Sequence, residues 1–238
     1  MPRLDILVTR SGLAESRERA QALIIAGKVR VAGETVRRPD RSVSNDAAIS
    51  VEEGPAYASR GALKLAPALT TFGVDPAGLV CADIGASTGG FTDILLRRGA
   101  ARVYAIDVGR GLLHWRLRQD PRVVVIERVN AREMESFPET VCLIVIDVSF
   151  IGLEKILPAM RLAAPAAEVV ALFKPQFQVG RADVGKGGVV RDLGVIEGAL
   201  NGFRSWCLAN GYKLRAEAPS ELPGADGNQE IFLDLVPS

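Results

Sequence analysis

Histidine, cysteine and long apolar runs are scarce in this chain of 238 residues. The single histidine, His114, leaves a serine or cysteine triad without another base to use, and we interpret it as structural. The three cysteines, Cys81, Cys142 and Cys207, lie far apart in apolar patterns, which predicts buried free thiols in a reducing compartment. No His/Cys/Asp cluster has the spacing of metal ligands, so no metal is expected.

Membrane-directed features are also missing. No apolar run reaches the roughly 18 residues that a bilayer-spanning helix needs, and the N-terminal stretch has an acid at Asp5 and no signal-like apolar segment. We therefore expect a cytoplasmic protein without membrane contact. The composition, 48% hydrophobic and 24% charged, is that of a globular protein with a full core. The net charge of +1 identifies no partner, and nothing indicates an oligomeric state.

Charge is distributed unevenly, however. The first 41 residues carry nine lysines or arginines and five acids. A basic module beside a nearly neutral body is typical of nucleic-acid-binding proteins, although an ordinary solvated face would give the same count. This module has the pattern of two short helices, a hairpin at residues 28–37 and a third short strand at residues 49–51, and we assign it to residues 1–53. Gly54, Pro55 and Ala56 indicate a linker over residues 54–58.

Residues 80–93, with the sequence VCADIGASTGGFTD, organise the remainder of the chain. The pattern predicts a buried strand, a glycine-rich turn and the start of a helix. Glycines at 85, 89 and 90 allow positive φ angles and a close approach of a ligand to the backbone. Such a segment is the first βα turn of a doubly wound sheet, where nucleotide cofactors bind.

The residues of this turn narrow the choice of cofactor. The second glycine of the dinucleotide fingerprint is missing, and no G-K-[ST] phosphate loop is present. Asp83 precedes the first glycine by two residues, and a carboxylate favours an ammonium group over a phosphate. Asp107 follows Gly85 by 22 residues, where a ribose diol could bind, and Asn130 with Ala131 could meet adenine edges. These features favour S-adenosylmethionine; a plain α/β domain in which Asp83 caps the next helix is the alternative.

Further strands are predicted near residues 102–107, 123–126, 142–146, 168–173, 212–216 and 230–235. Asp147 and Lys174 directly follow two of them, at the sheet edge where open α/β folds carry out chemistry. A helix is predicted from residue 59 to Phe72, with a kink at Pro67. Residues 176–188, with Arg181 and Lys186, are predicted to form a loop over that edge. The closing hairpin resembles the methyltransferase variant of the Rossmann-like α/β sheet, with seven strands and an antiparallel last hairpin.

The N-terminal module resembles a known RNA-binding domain, the one named after small-subunit ribosomal protein four. The resemblance is carried by Arg3-Leu4-Asp5, by Ser16-Arg17 with Ala20, by Ile25-x-Gly27-x-Val29-x-Val31, and by Val36 and Pro39. It implies that the second helix and the hairpin grip structured RNA. The implied phosphate contacts are Arg3, Arg17, Arg19, Lys28 and Arg30. A protein-docking module is the alternative.

Residues 59–238 resemble FtsJ-type 2′-O-methyltransferases, and with the N-terminal domain the whole chain resembles the TlyA family of ribosomal-RNA methyltransferases. The motifs are Ser59-Arg60-Gly61-Ala62-x-Lys64-Leu65, the glycine-rich turn, Asp147-Val148-Ser149-Phe150 and Lys174-Pro175-Gln176-Phe177. The resemblance implies methylation of a ribose 2′-hydroxyl, at cytidine, in ribosomal RNA within a ribosomal subunit. Its implied catalytic tetrad is Lys64, Asp147, Lys174 and Glu230.

Two further sets of residues complete the assignment. The S-adenosylmethionine site is assigned to Asp83, Gly85, Ala86, Ser87, Thr88, Gly89, Gly90, Phe91, Asp107, Val108, Asn130, Ala131 and Asp147. RNA contacts in the catalytic domain are assigned to Arg60, Phe150 and Lys186. Phe150 could stack on a base turned out of its helix, although core packing would suit it equally.

The chemistry explains why this tetrad is needed. A ribose 2′-hydroxyl is a poor nucleophile, so a methyltransferase must align it and remove its proton. We expect Lys174 to act as the general base, with Asp147 and Glu230 orienting the two lysines. A non-catalytic RNA-binding assembly factor is the rival reading, but it would not need Lys64 and Lys174 together. A hemolysin activity, an older label of the family, has no membrane-active segment to support it.

Overall fold

The computed structural model describes residues 1–52, 57–180 and 183–238. Residues 54–56 of the expected linker, and Arg181 of the expected loop, lie outside the described residues. The chain divides into two compact units, Met1–Ala56 and Tyr57–Ser238. We call them the N-terminal unit and, after the activity that the resemblance implies, the catalytic unit.

The N-terminal unit packs two helices against a three-stranded antiparallel sheet with strand order β2-β1-β3. Its elements are α1 (Leu4–Arg10), α2 (Arg17–Ile25), β1 (Val29–Val31), β2 (Glu34–Val36) and β3 (Ile49–Val51). Ser16 caps α2, because its side chain accepts a hydrogen bond from the Arg19 backbone N–H at 3.1 Å. A small core that includes Leu4, Ile24 and Val29 is fully buried.

The catalytic unit is a seven-stranded sheet with strand order β6-β5-β4-β7-β8-β10-β9. Its strands are β4 (Val80–Ile84), β5 (Arg102–Asp107), β6 (Val123–Glu127), β7 (Leu143–Ile146), β8 (Glu168–Phe173), β9 (Tyr212–Pro219) and β10 (Ile231–Pro237). Strands β4 to β8 are parallel, and β10 is antiparallel to both β8 and β9. This arrangement confirms the expected Rossmann-like sheet with an antiparallel last hairpin.

Helices cover both faces of this sheet. They are α3 (Gly61–Phe72), α4 (Gly90–Arg97), α5 (Trp115–Arg118), α6 (Leu157–Ala163), α7 (Pro175–Gln178) and α8 (Leu193–Ala209). Ile84, Ile146 and Phe173 pack on the side of α6 and α8, whereas Cys81 and Leu172 pack on the side of α3 and α4. Because both faces of the central strands are buried, these strands have continuous apolar runs in place of alternating ones.

Three local details differ from expectation or add to it. Cys142 is exposed because it lies just before β7, whereas Cys81 and Cys207 are buried as expected. The loop expected from residue 176 begins instead with the short helix α7, since Pro175 suits the first position of a helix. Helix α3 contains Pro67 and continues to Phe72, where Gly73 ends it with φ +69°.

Among the described residues, no helix combines the length and apolarity needed to cross a membrane.

Candidate active site

The candidate site lies at the carboxyl ends of β4, β5, β7 and β8. The chain runs from β4 outward through β5 to β6 and then returns to β7 on the other side of β4. Such a reversal opens a crevice beside the strand ends, where ligands bind in open α/β sheets. The turn after β4 is fixed there because the N–H groups of Gly85 and Ala86 both donate to the Ile106 carbonyl.

Packing explains two glycines of this turn. Gly85 has φ +84°, and a Cβ atom at this position would lie 2.5 Å from the Asp147 carbonyl oxygen. Gly89 has φ +92°, and a Cβ atom there would collide with the side chain of Leu117. Both residues thus need positive φ and close contact with neighbouring protein segments. Gly89 lines neither of the two cavities described next.

Asp83 forms the floor of the first cavity, which has a volume of about 660 Å³. Its Oδ2 accepts hydrogen bonds from the Thr92 N–H at 2.8 Å and the Thr92 hydroxyl at 2.6 Å. Its Oδ1 is buried and has no hydrogen-bond partner among the described residues. Burial raises the pKa of Asp83 to about 7, and the hydrogen bonds from Thr92 only partly oppose this. A buried carboxylate oxygen that lacks a donor suits a cationic ligand group.

Most other residues assigned to the cofactor line the first cavity or a second one of about 440 Å³. The first cavity has Gly85, Ala86, Ser87, Thr88, Gly90, Phe91 and Asp147; the second has Gly85, Ser87, Asp107, Val108, Asn130, Ala131 and Asp147. Gly85, Ser87 and Asp147 are common to both. The two cavities therefore form neighbouring parts of one crevice that follows the strand ends.

Hydrogen bonds hold the polar groups of the second cavity in place. Asp107 Oδ2 accepts from the Ser87 N–H at 2.8 Å, and its Oδ1 accepts from the Gly109 N–H at 2.7 Å. The Asn130 side chain accepts from the Arg132 N–H at 3.2 Å and donates to Glu133 at 3.0 Å. A carboxylate oxygen can accept a second hydrogen bond, so Asp107 retains capacity for a ribose hydroxyl.

The four residues of the expected tetrad form two ion pairs. Lys64 Nζ lies 2.6 Å from Glu230 Oε2, and Lys174 Nζ lies 2.6 Å from Asp147 Oδ1. Lys174 also donates a hydrogen bond to the Ser149 hydroxyl at 3.1 Å. Lys64, Lys174 and Glu230 line a third cavity of about 490 Å³, while Lys64 and Asp147 also line the first cavity. The two ion pairs thus lie between the first and third cavities.

Sheet register brings these residues together from distant parts of the chain. Asp147 follows β7, Lys174 follows β8, and the two strands are parallel neighbours. Ile231 of β10 is opposite Phe173 of β8, so the antiparallel pairing places Glu230 next to the end of β8. Lys64 reaches Glu230 from the first turns of α3.

Phe150 is 91% exposed, which rules out the alternative of core packing. It has φ +64°, an uncommon conformation for a bulky residue, and its ring centroid lies 5.2 Å from that of Phe177. Phe150 lines both the second and the third cavity. Its ring is therefore available to a ligand at the site.

The remaining predicted RNA contacts differ in their surroundings. Arg3 and Arg17 both bond to the buried Asp5, and Arg30 lies 3.2 Å from Glu52. Arg19 and Lys28 make no side-chain hydrogen bond or ion pair within the part of the chain that the structure describes. In the catalytic unit, Arg60 lines the first cavity. Lys186 is exposed and lines none of the three cavities.

Sequence reasoning missed several residues of the site. Ser149 bonds to Lys174, and Gln176 lines the third cavity with a buried side-chain oxygen that lacks a partner among the described residues. The turn at residues 222–227 lines the first cavity, although the sequence indicated only a turn before the last strand. Ser149 and Gln176 lie within the motifs quoted above, so their neighbours in sequence were the available signal.

Comparisons with known proteins agree with this geometry. The FtsJ-like methyltransferase family matches residues 57–235, and the S4 domain family matches residues 2–48. A relative named 16S/23S rRNA (cytidine-2′-O)-methyltransferase TlyA, from Mycobacterium tuberculosis, is 47% identical, with 98% of this chain and 89% of the relative covered. Hemolysin A of Brachyspira hyodysenteriae is 43% identical, with 98% and 99% covered.

The fold is also found in more distant solved structures. The magnesium protoporphyrin IX methyltransferase of Synechocystis, solved with bound SAH, has a TM-score of 0.51 at 13% identity, over 75% of this chain and 82% of its own. At that identity the likeness concerns the fold alone. The family membership of this chain therefore rests on the two family matches and the two close relatives. The chain belongs to the FtsJ-like methyltransferases, in the TlyA family, and it carries this domain together with an S4 domain.

Proposed function

We propose that this protein transfers a methyl group from S-adenosylmethionine to a ribose 2′-hydroxyl of cytidine in ribosomal RNA. The observation that carries the proposal is the pair of lysine–carboxylate ion pairs, Lys64–Glu230 and Lys174–Asp147, beside the crevice that follows β4 and β5. The relative from Mycobacterium tuberculosis, whose name states this reaction, supports the same choice of substrate.

The residues present fit S-adenosylmethionine. The unpartnered Oδ1 of Asp83 suits the ammonium of the amino-acid end, Asp107 suits the ribose, and Asn130 with Ala131 suits the adenine. Asp147 lines both cavities and would lie beside the positive sulfur. When bound, the cofactor supplies an electrophilic methyl group.

The chain itself would bind, orient and deprotonate the nucleophile. After its own proton has passed to solvent, the Nζ of Lys174 would accept the proton of the 2′-hydroxyl, while Asp147 and Ser149 hold that nitrogen in place. Glu230 holds Lys64, and both of these residues line the third cavity together with Lys174. An exposed Phe150 offers a surface on which the target base can stack after leaving its helix.

The N-terminal unit would bind the RNA through phosphates. It matches the S4 domain family. Four of its five predicted phosphate contacts are exposed, and the fifth, Lys28, is half-buried. Phosphate contacts fix the position of the protein on its RNA and carry little sequence information. Selection of the nucleotide is thus left to the catalytic unit.

The test is methyl transfer from labelled S-adenosylmethionine to separate ribosomal subunits that lack the modification. Alkaline hydrolysis follows, because a 2′-O-methyl group blocks cleavage of the next linkage. We expect label in an alkali-resistant dinucleotide that contains cytidine. The Lys174→Ala variant serves as the catalytic control and is expected to give no label.

Other results would change the proposal in defined ways. Label in a single nucleotide after hydrolysis would move the target to a base, and the tetrad would lose its assigned role. Absence of label, with cofactor and ribosome binding retained, would favour a non-catalytic assembly factor.

A further inference from the structure

Asp5 is an unusual residue for an RNA-binding unit, because it is a carboxylate with no exposed surface among arginines that are predicted to contact phosphates. It lies in the first turn of α1 and belongs neither to the predicted RNA contacts nor to the catalytic site. Its backbone N–H donates to the Pro39 carbonyl, and the neighbouring Arg3 forms an isolated bridge with Ser42. The segment that carries Asp5 is therefore anchored to residues 39–43.

Three side chains donate hydrogen bonds to this carboxylate. Arg3 donates from Nε to Oδ1 and from Nη2 to Oδ2, both at 3.1 Å. Arg17, which lies twelve residues after Asp5 in the chain, donates from Nε to Oδ2 at 3.0 Å. Gln21 donates to Oδ2 at 2.8 Å. Burial opposes ionisation of Asp5, but these hydrogen bonds keep the pKa of its carboxyl below the usual range. The group is therefore an anion at neutral pH.

The way in which each arginine is bound leaves its outer edge available. Arg17 uses only Nε, so both of its terminal nitrogens keep their N–H groups, which is the pair that binds a phosphate in bidentate fashion. Arg3 keeps Nη1 and one N–H of Nη2. The Arg3 and Arg17 side chains remain 44% and 50% exposed, while the carboxylate that holds them is fully covered.

We propose that Asp5 is a positioning residue that holds the Arg3 and Arg17 guanidinium groups in the orientation in which they bind adjacent RNA phosphates. The inference rests on the proposed function, since it requires that the N-terminal unit binds RNA. A free arginine loses side-chain entropy when it contacts a phosphate, and a guanidinium that is already held loses less. Asp5 thus assists the binding of an anion although it is itself negative.

The negative charge of Asp5 makes the inference testable, because positioning and simple electrostatics predict opposite effects when that charge is removed. Simple electrostatics predicts that Asp5→Asn, which removes a negative charge, strengthens RNA binding. Positioning predicts the opposite: binding of the full-length Asp5→Asn variant to ribosomal subunits weakens by about tenfold, and the slope of log K against log salt falls by about one to two. The matched control is Asp46→Asn, because Asp46 is an exposed acid whose side chain pairs with Ser44, outside the predicted contacts. It removes the same charge and should leave binding unchanged or slightly stronger.

A second variant keeps the test valid if Asp5→Asn does not fold. Arg17→Lys retains the charge but lacks the Nε donor and the planar pair of nitrogens, and it should weaken binding in the same direction. Arg19→Lys, at an exposed arginine without a side-chain partner among the described residues, should have a smaller effect. In an Arg3→Ala/Arg17→Ala background, Asp5→Asn should have no additional effect, because Asp5 acts through these two residues.

The outcomes separate this inference from the proposed function. Wild-type protein that binds neither ribosomal subunit would overturn the proposed function, and this inference with it. Wild-type protein that binds, together with an Asp5→Asn or Arg17→Lys variant that binds equally well or better, would overturn only the role of Asp5. Weaker binding in Asp5→Asn and Arg17→Lys, but not in Asp46→Asn, supports it.

Discussion

The two units each contain a buried aspartate near their functional residues, but the two carboxylates differ in how they are bonded. Asp5 in the N-terminal unit accepts hydrogen bonds from three side chains, and its pKa lies below the usual range. Among the described residues, Asp83 in the catalytic unit accepts hydrogen bonds only from Thr92, and burial raises its pKa to about 7. Both residues have no exposed surface.

This difference shows that burial alone does not determine the state of a carboxylate. The bonding of Asp5 is completed by the fold, so it organises the arginines around it. The bonding of Asp83 is incomplete, since its Oδ1 is buried without a donor from the described residues, and the residue lines the first cavity. A cationic ligand group would complete it. In our proposals, one aspartate thus shapes a surface for an anion, and the other forms part of a site for a cation.

The largest expected effect concerns the ion pairs of the catalytic unit, in which lysine and carboxylate side chains of the same unit bind each other. Lys174→Ala should lower the rate of methyl transfer by about 10³-fold, since general bases contribute in that range. Cofactor affinity, measured by calorimetry, should change little, because Lys174 does not line the first or second cavity. Turnover close to wild type in this variant would refute its role as the base.

The second effect concerns Asp83 and tests its difference from Asp5 directly. Asp83→Asn should weaken S-adenosylmethionine binding by about 10- to 100-fold at pH 8, the worth of a charged hydrogen bond. In the wild type an ammonium requires ionised Asp83, whose pKa is about 7 in the free protein. Affinity should therefore fall by about tenfold per unit below pH 7.

Calorimetric titrations between pH 5.5 and 8.5 measure this dependence. The control is Asp75→Asn, an exposed acid before β4 at the opposite edge of the sheet, which should keep the wild-type profile. An Asp83→Asn variant with the same pH profile as wild type would show that another group binds the cation.

The third effect concerns Phe150, an exposed residue of the catalytic unit. Phe150→Ala should lower kcat/KM for ribosomal RNA by about tenfold or more, because stacking on a base contributes about 1–3 kcal/mol. The melting temperature should not change, since the ring is 91% exposed. Phe150→Trp should retain activity. Leu162→Ala, at an exposed apolar residue of α6, is the matched control, and an equal loss of activity there would contradict a specific role for Phe150.

The smallest effect is on stability in acid. The folded pKa of Asp5 lies below its unfolded value of about 4, so its contribution to stability is present above pH 4 and is lost as the pH falls. Asp5→Asn should lower the melting temperature of the N-terminal unit at pH 7 by a few degrees, and this difference should shrink between pH 5 and pH 3. Melting followed by circular dichroism measures it, and a difference that is independent of pH would contradict the assignment.

The sequence by itself predicted the fold class and most of the site because both depend on local patterns. Runs of apolar residues ending in Asp83, Asp107, Asp147 and Lys174 defined parallel strands and put polar groups at one sheet edge. Glycines at 85 and 89 indicated a turn with positive φ, which the structure contains. The family resemblance then supplied Lys64 and Glu230, which no periodicity singled out.

Only the tertiary structure decided which of these groups meet. Lys64 and Glu230 are 166 residues apart, and their contact follows from the antiparallel register of β10 on β8. The same holds for the exposure of Phe150 and Cys142, for the missing partner of Asp83 Oδ1, and for the three side chains around Asp5. Local patterns determine elements and their ends, whereas burial and hydrogen-bond partners depend on residues that are distant in sequence and adjacent only after folding.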